Sequence, residues 1–137
     1  MARIVGITPQ GASVQFEADP QSVSSDASPF RSGTGGISSK SATAVAGAAT
    51  LNKESGVITT ESLTTAAGAD YTLTLTNSRN LTNDITFVSV QNGTNTGGAP
   101  TVGTVASTAG QTVIKVHNSG GSAFNGTLVI SYFSFRI

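Results

Sequence analysis

The chain has 137 residues, with seven basic and seven acidic side chains, 10% charged residues and no cysteine. That length suits one domain with a real core. The even charge balance offers no basic groove for a nucleic acid and no long-range steering toward an anionic partner. Without cysteine there is no disulfide stapling and no thiolate chemistry. A charged share far below the usual quarter or so fits two surfaces: one given over to neighbours in an assembly, or a monomer coated in Ser, Thr and Asn.

The start, Met1-Ala2-Arg3-Ile4-Val5-Gly6-Ile7, is too short and too polar downstream to read as a signal peptide. No apolar run reaches the length of a membrane span. Residues 3–8 read as a strand, Pro9-Gln10-Gly11 as a turn, and residues 12–18 as a second strand with Val14 and Phe16 on one face. The pair reads either as a hairpin on its own domain or as an arm laid on a neighbour. Residues 19–41 hold Pro20, Pro29, Gly33, Gly35, Gly36 and many serines. Little there offsets the entropy of ordering by burial, so the stretch reads as a linker or long loop. Phe30 and Ile37 are its docking points. The expected division is an N-terminal arm and linker over 1–41 and a main domain over 42–137.

Residues 42–51 are rich in alanine, but Gly47 and two threonines weaken a helix, and an edge strand is expected. Lys53-Glu54-Ser55-Gly56 reads as a turn, residues 57–61 as a short strand, and residues 63–68 as a brief turn ending in Gly68. The clearest strand is residues 70–77. Tyr71, Leu73 and Leu75 face one way and Thr72, Thr74 and Thr76 the other, the period of a strand with one buried face. Threonine suits this backbone because branching at Cβ stiffens χ1 and packs on a pleat.

Residues 81–90 form the next strand, clearest over 84–91, with Ile85, Phe87, Val88 and Val90 apolar on both faces. Residues 92–100 are a surface loop by composition. Residues 101–107 and 111–117 read as strands joined by Thr108-Ala109-Gly110, and residues 118–125 as another loop. The final strand, 126–137, is apolar on both sides. Leu128, Ile130 and Tyr132 share one face; Val129, Phe133, Phe135 and Ile137 share the other. One face fills a core, and the other requires a cover. Short strands separated by turn signals indicate an all-β fold, an antiparallel β-sandwich of jelly-roll-like type with an N-terminal arm or hairpin.

Catalytic and metal motifs are lacking. Gly33-Thr34-Gly35-Gly36 and Gly97-Gly98 have neither the spacing nor the following helix of a phosphate-binding loop. His117 is the only histidine, with scattered carboxylates and no cysteine to complete a zinc site, so it reads as a strand residue bonded locally. Asp19 with Asp26, or Asp70 with Asp84, would need the fold to bring them together before acid–base or calcium chemistry could follow. As residues preceding strands, Asp70 and Asp84 read as turn or edge groups. Tyr71 and Tyr132 fit core positions with their hydroxyls at a polar rim. The loops 92–100 and 118–125 offer amides and hydroxyls for weak carbohydrate contact but no aromatic platform. Three glycosylation sequons, at Asn80, Asn92 and Asn125, reflect composition.

From residue 50 onward the phrasing is that of a known group. Ser55-Gly56-Val57-Ile58-Thr59-Thr60-Glu61, the run from Leu63 to Asn77, Asn92-Gly93-Thr94-Asn95-Thr96-Gly97-Gly98-Ala99-Pro100-Thr101-Val102 and Asn125-Gly126-Thr127-Leu128-Val129-Ile130-Ser131 together resemble the small β-domains of tailed-bacteriophage virion proteins. The likeness is greatest to capsid decoration (cement) proteins, with tail-fibre or spike heads as the alternative. The resemblance implies a β-sandwich, commonly a homotrimer, on the exterior of a virion assembled in the host cytoplasm. It implies no cofactor, no metal and no enzymatic turnover. The expected partners are further copies of the chain and the major capsid protein, with no nucleic acid or membrane. The expected subunit seam is Val129, Phe133, Phe135 and Ile137. The expected capsid anchor is Arg3, Ile4, Val5, Ile7, Val14 and Phe16, added as a strand to an exposed sheet edge.

Overall fold

Alternation of apolar and hydroxyl side chains sets most of the strands. The computed structural model describes residues 40–137, and within them lie eight strands and no helix. In chain order these are β1 (Ser41–Thr43), β2 (Ala48–Thr50), β3 (Ser55–Thr59), β4 (Asp70–Thr76), β5 (Ile85–Asn92), β6 (Pro100–Thr108), β7 (Gln111–Asn118) and β8 (Leu128–Phe135). They form two four-stranded sheets, ordered β1-β3-β8-β5 and β2-β4-β7-β6. The sheets pack as the expected β-sandwich. The anchor residues Arg3 to Phe16 lie outside the described residues.

The inward side chains come from the expected alternation. Tyr71, Leu73 and Leu75 of β4 lie beside Ile114 and Val116 of β7 in one sheet, and Ile58, Leu128, Ile130 and Tyr132 of β3 and β8 in the other sheet complete the core. Leu73, Ile114 and Ile130 are wholly buried. Phe124, from the loop before β8, plugs one end of this core.

The alanine-rich stretch is not one edge strand but two. The chain pairs in parallel with β3 through β1, turns, and pairs in parallel with β4 through β2, so it passes from one sheet to the other. The turn is a two-residue reversal in which Val45 and Ala48 exchange both backbone hydrogen bonds, at 2.8 and 3.0 Å. Ala46 and Gly47 have φ of 52° and 78°, the pattern of a type I′ turn. Small side chains permit the crossing. Ala44 and Ala49 sit buried between the sheets, where a larger residue would force them apart.

Two strand boundaries also differ from expectation. β3 begins at Ser55, because Ser55 and Gly56 pair with Phe133 and Tyr132 of β8. Gly56 lies so close beneath Tyr132 that a Cβ there would come within 3.3 Å of the ring. β5 begins only at Ile85. Asp84 closes a turn ahead of it: its N–H donates to the Leu81 carbonyl at 3.1 Å, and its Oδ2 accepts from the Leu81 N–H at 2.9 Å.

Candidate binding surface

Where β8 lies between β3 and β5, its odd-numbered side chains face outward. Antiparallel register puts Phe133 opposite Phe87 and Phe135 opposite Ile85. The three rings form one cluster. Phe135 has its centroid 5.8 Å from Phe87 and 5.9 Å from Phe133, each pair tilted by 34°, within the range of favourable aromatic contact. They remain open to solvent: Phe87 is 62% exposed, Phe133 51% and Phe135 37%. Of the expected seam residues, Phe133 and Phe135 are central, Val129 is half-buried further along β8, and Ile137 is exposed beyond the strand's end. Phe87 lies outside the seam that the sequence pattern predicts. Its signal was there, since β5 is apolar on both faces, but only the β5–β8 register places it against the terminal aromatics.

The face carries no charge. No Asp, Glu, Lys or Arg occurs over residues 85–114 or 128–135. Charges return at one end, as two ion pairs: Arg79 with Glu54 at 3.5 Å, and Arg136 with Asp84 at 3.3 Å.

The titratable groups serve the framework. Asp70 and His117 are opposite one another on β4 and β7, and the imidazole Nδ1 lies 2.7 Å from the carboxylate. Asp84 is engaged with Leu81 and Arg136, so Asp70 and Asp84 have separate partners. Glu61 borders an open cleft of about 530 Å³ that also touches Gly47, Asp70 and Tyr71. Its two oxygens are already in use: one accepts the Gly47 N–H at 3.0 Å and the other the Tyr71 hydroxyl at 3.2 Å. Burial first, then the charge and hydrogen bond of Glu61, push the Tyr71 hydroxyl well above its ordinary range. Burial pushes the Tyr132 hydroxyl up to about 12; it donates to the carbonyls of Leu51 and Lys53. Among the described residues, no three His, Cys, Asp or Glu side chains gather where they could hold a metal ion.

The two polar loops are stapled to each other. Asn95 Oδ1 accepts the Asn125 N–H at 2.8 Å, and Asn125 Oδ1 accepts the Thr96 and Gly97 N–H groups at 2.8 and 3.0 Å. Thr94 and Thr127 exchange backbone-to-hydroxyl bonds at 3.0 and 2.9 Å. These side chains replace water as partners for loop backbone, as turn-forming Asn and Thr do. The amides that the sequence offers for carbohydrate contact are thus turned onto the protein itself.

No protein family matches the chain, and no curated protein or solved structure matches it.

Proposed function

We propose that the chain is a structural virion protein that binds and stabilises the assembled capsid of a tailed bacteriophage, acting as a decoration protein in homotrimeric form. The observation that carries the reading is the uncharged outer face of β5 and β8 with its three exposed phenylalanines. An apolar patch of this kind on a rigid sandwich marks an interaction surface. The internal engagement of Glu61, Asp70, His117 and the loop asparagines also favours a binding scaffold over a reacting site.

The mechanism is linkage. A protein that binds the assembled shell and not its dissociated subunits stabilises the shell by mass action, and several attachments per oligomer multiply weak contacts through effective concentration. The segment holding Arg3, Ile4, Val5, Ile7, Val14 and Phe16 supplies the anchor on the major capsid protein. The test is co-sedimentation of the full chain with purified shells of the phage that encodes it, together with the temperature at which those shells dissociate. The expected result is saturable binding, a raised dissociation temperature, and loss of both on deleting residues 1–18. Failure to co-sediment overturns the reading, and full binding by the truncated chain overturns the anchor.

A further inference from the structure

We infer that the outer edge of β5 takes up an extended segment of the shell protein, which pairs with it backbone to backbone as a fifth strand of the β1-β3-β8-β5 sheet. The inference rests on the decoration reading above and names a contact through which the shell is held.

The alternation of backbone bonds fixes what that edge offers. β8 lies between β3 and β5, so its residues bond to the two neighbours by turns. The Ser134 N–H donates to the Glu54 carbonyl at 2.7 Å, and the Leu128 carbonyl accepts the Thr60 N–H at 2.9 Å, so even-numbered residues of β8 bond toward β3. Odd-numbered residues bond toward β5, and the Gly93 N–H continues the pattern past the strand's end by donating to the Thr127 carbonyl at 2.9 Å. Register sets Ile85, Phe87, Ser89 and Gln91 opposite odd-numbered partners. The N–H and C=O groups of Thr86, Val88 and Val90 therefore point away from β8, and no described residue bonds them.

Of the four edge strands, β5 alone is left open. β1 and β2 are three residues each. β6 starts at Pro100, and its register breaks between Val102 and Val105. Shortness, proline and bulges are the devices that keep a strand edge from pairing with another chain. β5 has none of them. It runs for eight residues in unbroken register, with no proline and no charged side chain.

Side chains define what the added strand brings. β5 and β6 are edges of the two sheets that approach each other, and the hydroxyls of Thr86 and Ser107 meet across them at 2.9 Å. Val88 and Val90 lie opposite Tyr132 and Ile130, and Val102 lies opposite Val116. Residues opposite one another share a face, so these valines point inward. Their partners are buried, yet Val88 and Val90 are half-buried and Val102 is 36% exposed. The core is incompletely covered along this side. A strand added to β5 with an apolar side chain at every second position shields it. A charged side chain at those positions would lose its water without gaining a partner.

The occupant is a different protein and not a second copy. One β5 edge pairing with another is a two-fold contact, which a trimer cannot satisfy in all its subunits. The other edges of the chain are too short or too irregular to pair with eight residues. Three β5 edges on one trimer also reinforce each other through effective concentration.

The experiment is amide hydrogen exchange on the full chain, alone and bound to purified shells of the phage that encodes it, quenched and read residue by residue. Alone, the amides of Thr86, Val88 and Val90 are expected to exchange fast, while those of Phe87, Ser89 and Gln91 are protected by β8. On shells, the first three are expected to slow at least about tenfold. Val90→Pro removes an outward N–H and leaves the β8 ladder intact. Once urea unfolding confirms that it folds, it is expected to bind shells at least about fivefold more weakly. If it fails to fold, exchange on the full chain decides. Undiminished binding by the folded variant overturns the inference. Protection of the three amides in the full chain alone at high concentration assigns the edge to a second copy and also overturns it. Co-sedimentation without added protection defeats this inference alone, whereas failure to co-sediment defeats the decoration reading and this inference with it.

Discussion

Replacing Asn118 with alanine is expected to cost about 3–4 kcal/mol of folding stability, from the following accounting. The side chain is wholly buried. Its Nδ2 donates to the carbonyls of Thr65, Ala66 and Ser122 at 3.1, 3.2 and 2.8 Å. Its Oδ1 accepts the N–H groups of Ala99 and Gly120 at 3.0 and 3.1 Å. One amide therefore joins three loops: the segment before β4, the β5–β6 loop and the β7–β8 loop. Each buried backbone group left unpaired costs about 1–3 kcal/mol. Not all of that is realised, because Ser122 and Ala99 lie at the surface and water can enter a polar void there. The Gly120 N–H and the Thr65 carbonyl, on residues only partly exposed, set the remaining loss, against a total of about 5–15 kcal/mol for a domain. The assay is urea unfolding followed by circular dichroism, with an unchanged slope and a lowered midpoint. Asn118→Asp adds a signed check. Its new oxygen replaces the donor that faced three carbonyls, so the folded state disfavours the charged form and raises the carboxyl's pKa. The variant's stability is then greatest below the unfolded value of about 3.9 and falls as pH rises through the raised value. A loss under about 1 kcal/mol in the alanine variant, or an aspartate variant equally stable in acid and at neutral pH, would refute this account of the loop hub.

Two further outcomes are expected. Ala46→Gly should raise the urea midpoint by the equivalent of about 0.5–1 kcal/mol. Alanine at a φ of 52° carries a left-handed backbone penalty of about 1–2 kcal/mol, part of which returns as the greater entropy of unfolded glycine; a lowered midpoint would contradict the turn assignment. The protein should also be labile in alkali. Tyr132 is raised to about 12 and Tyr71 is raised as well, from an unfolded 10.0. Their contribution is therefore fully present below pH 10 and is lost as pH rises through the folded values. Phenolate absorbance should then appear together with loss of the strand signal. Ionisation of both tyrosines near pH 10 in a protein that stays folded would disprove it.

Local patterning determined much of this molecule. The alternation in residues 70–77 and in the last strand named the inward side chains correctly, because a strand has a period of two whatever its partner. The positions of Tyr71 and Tyr132 followed from the same rule. What the alternation could not decide is which strand lies beside which, because pairing is a relation between distant segments. That relation split the alanine-rich stretch between two sheets, where buried Ala44 and Ala49 and a left-handed turn let the chain cross. It bound the two polar loops to each other, since an asparagine in a loop becomes a staple only when a second loop offers it backbone. It also set Phe87 of β5 beside Phe133 and Phe135 of β8, residues more than forty positions apart. The sequence made each strand apolar on its outer side; only the register between them gathered those side chains into one surface.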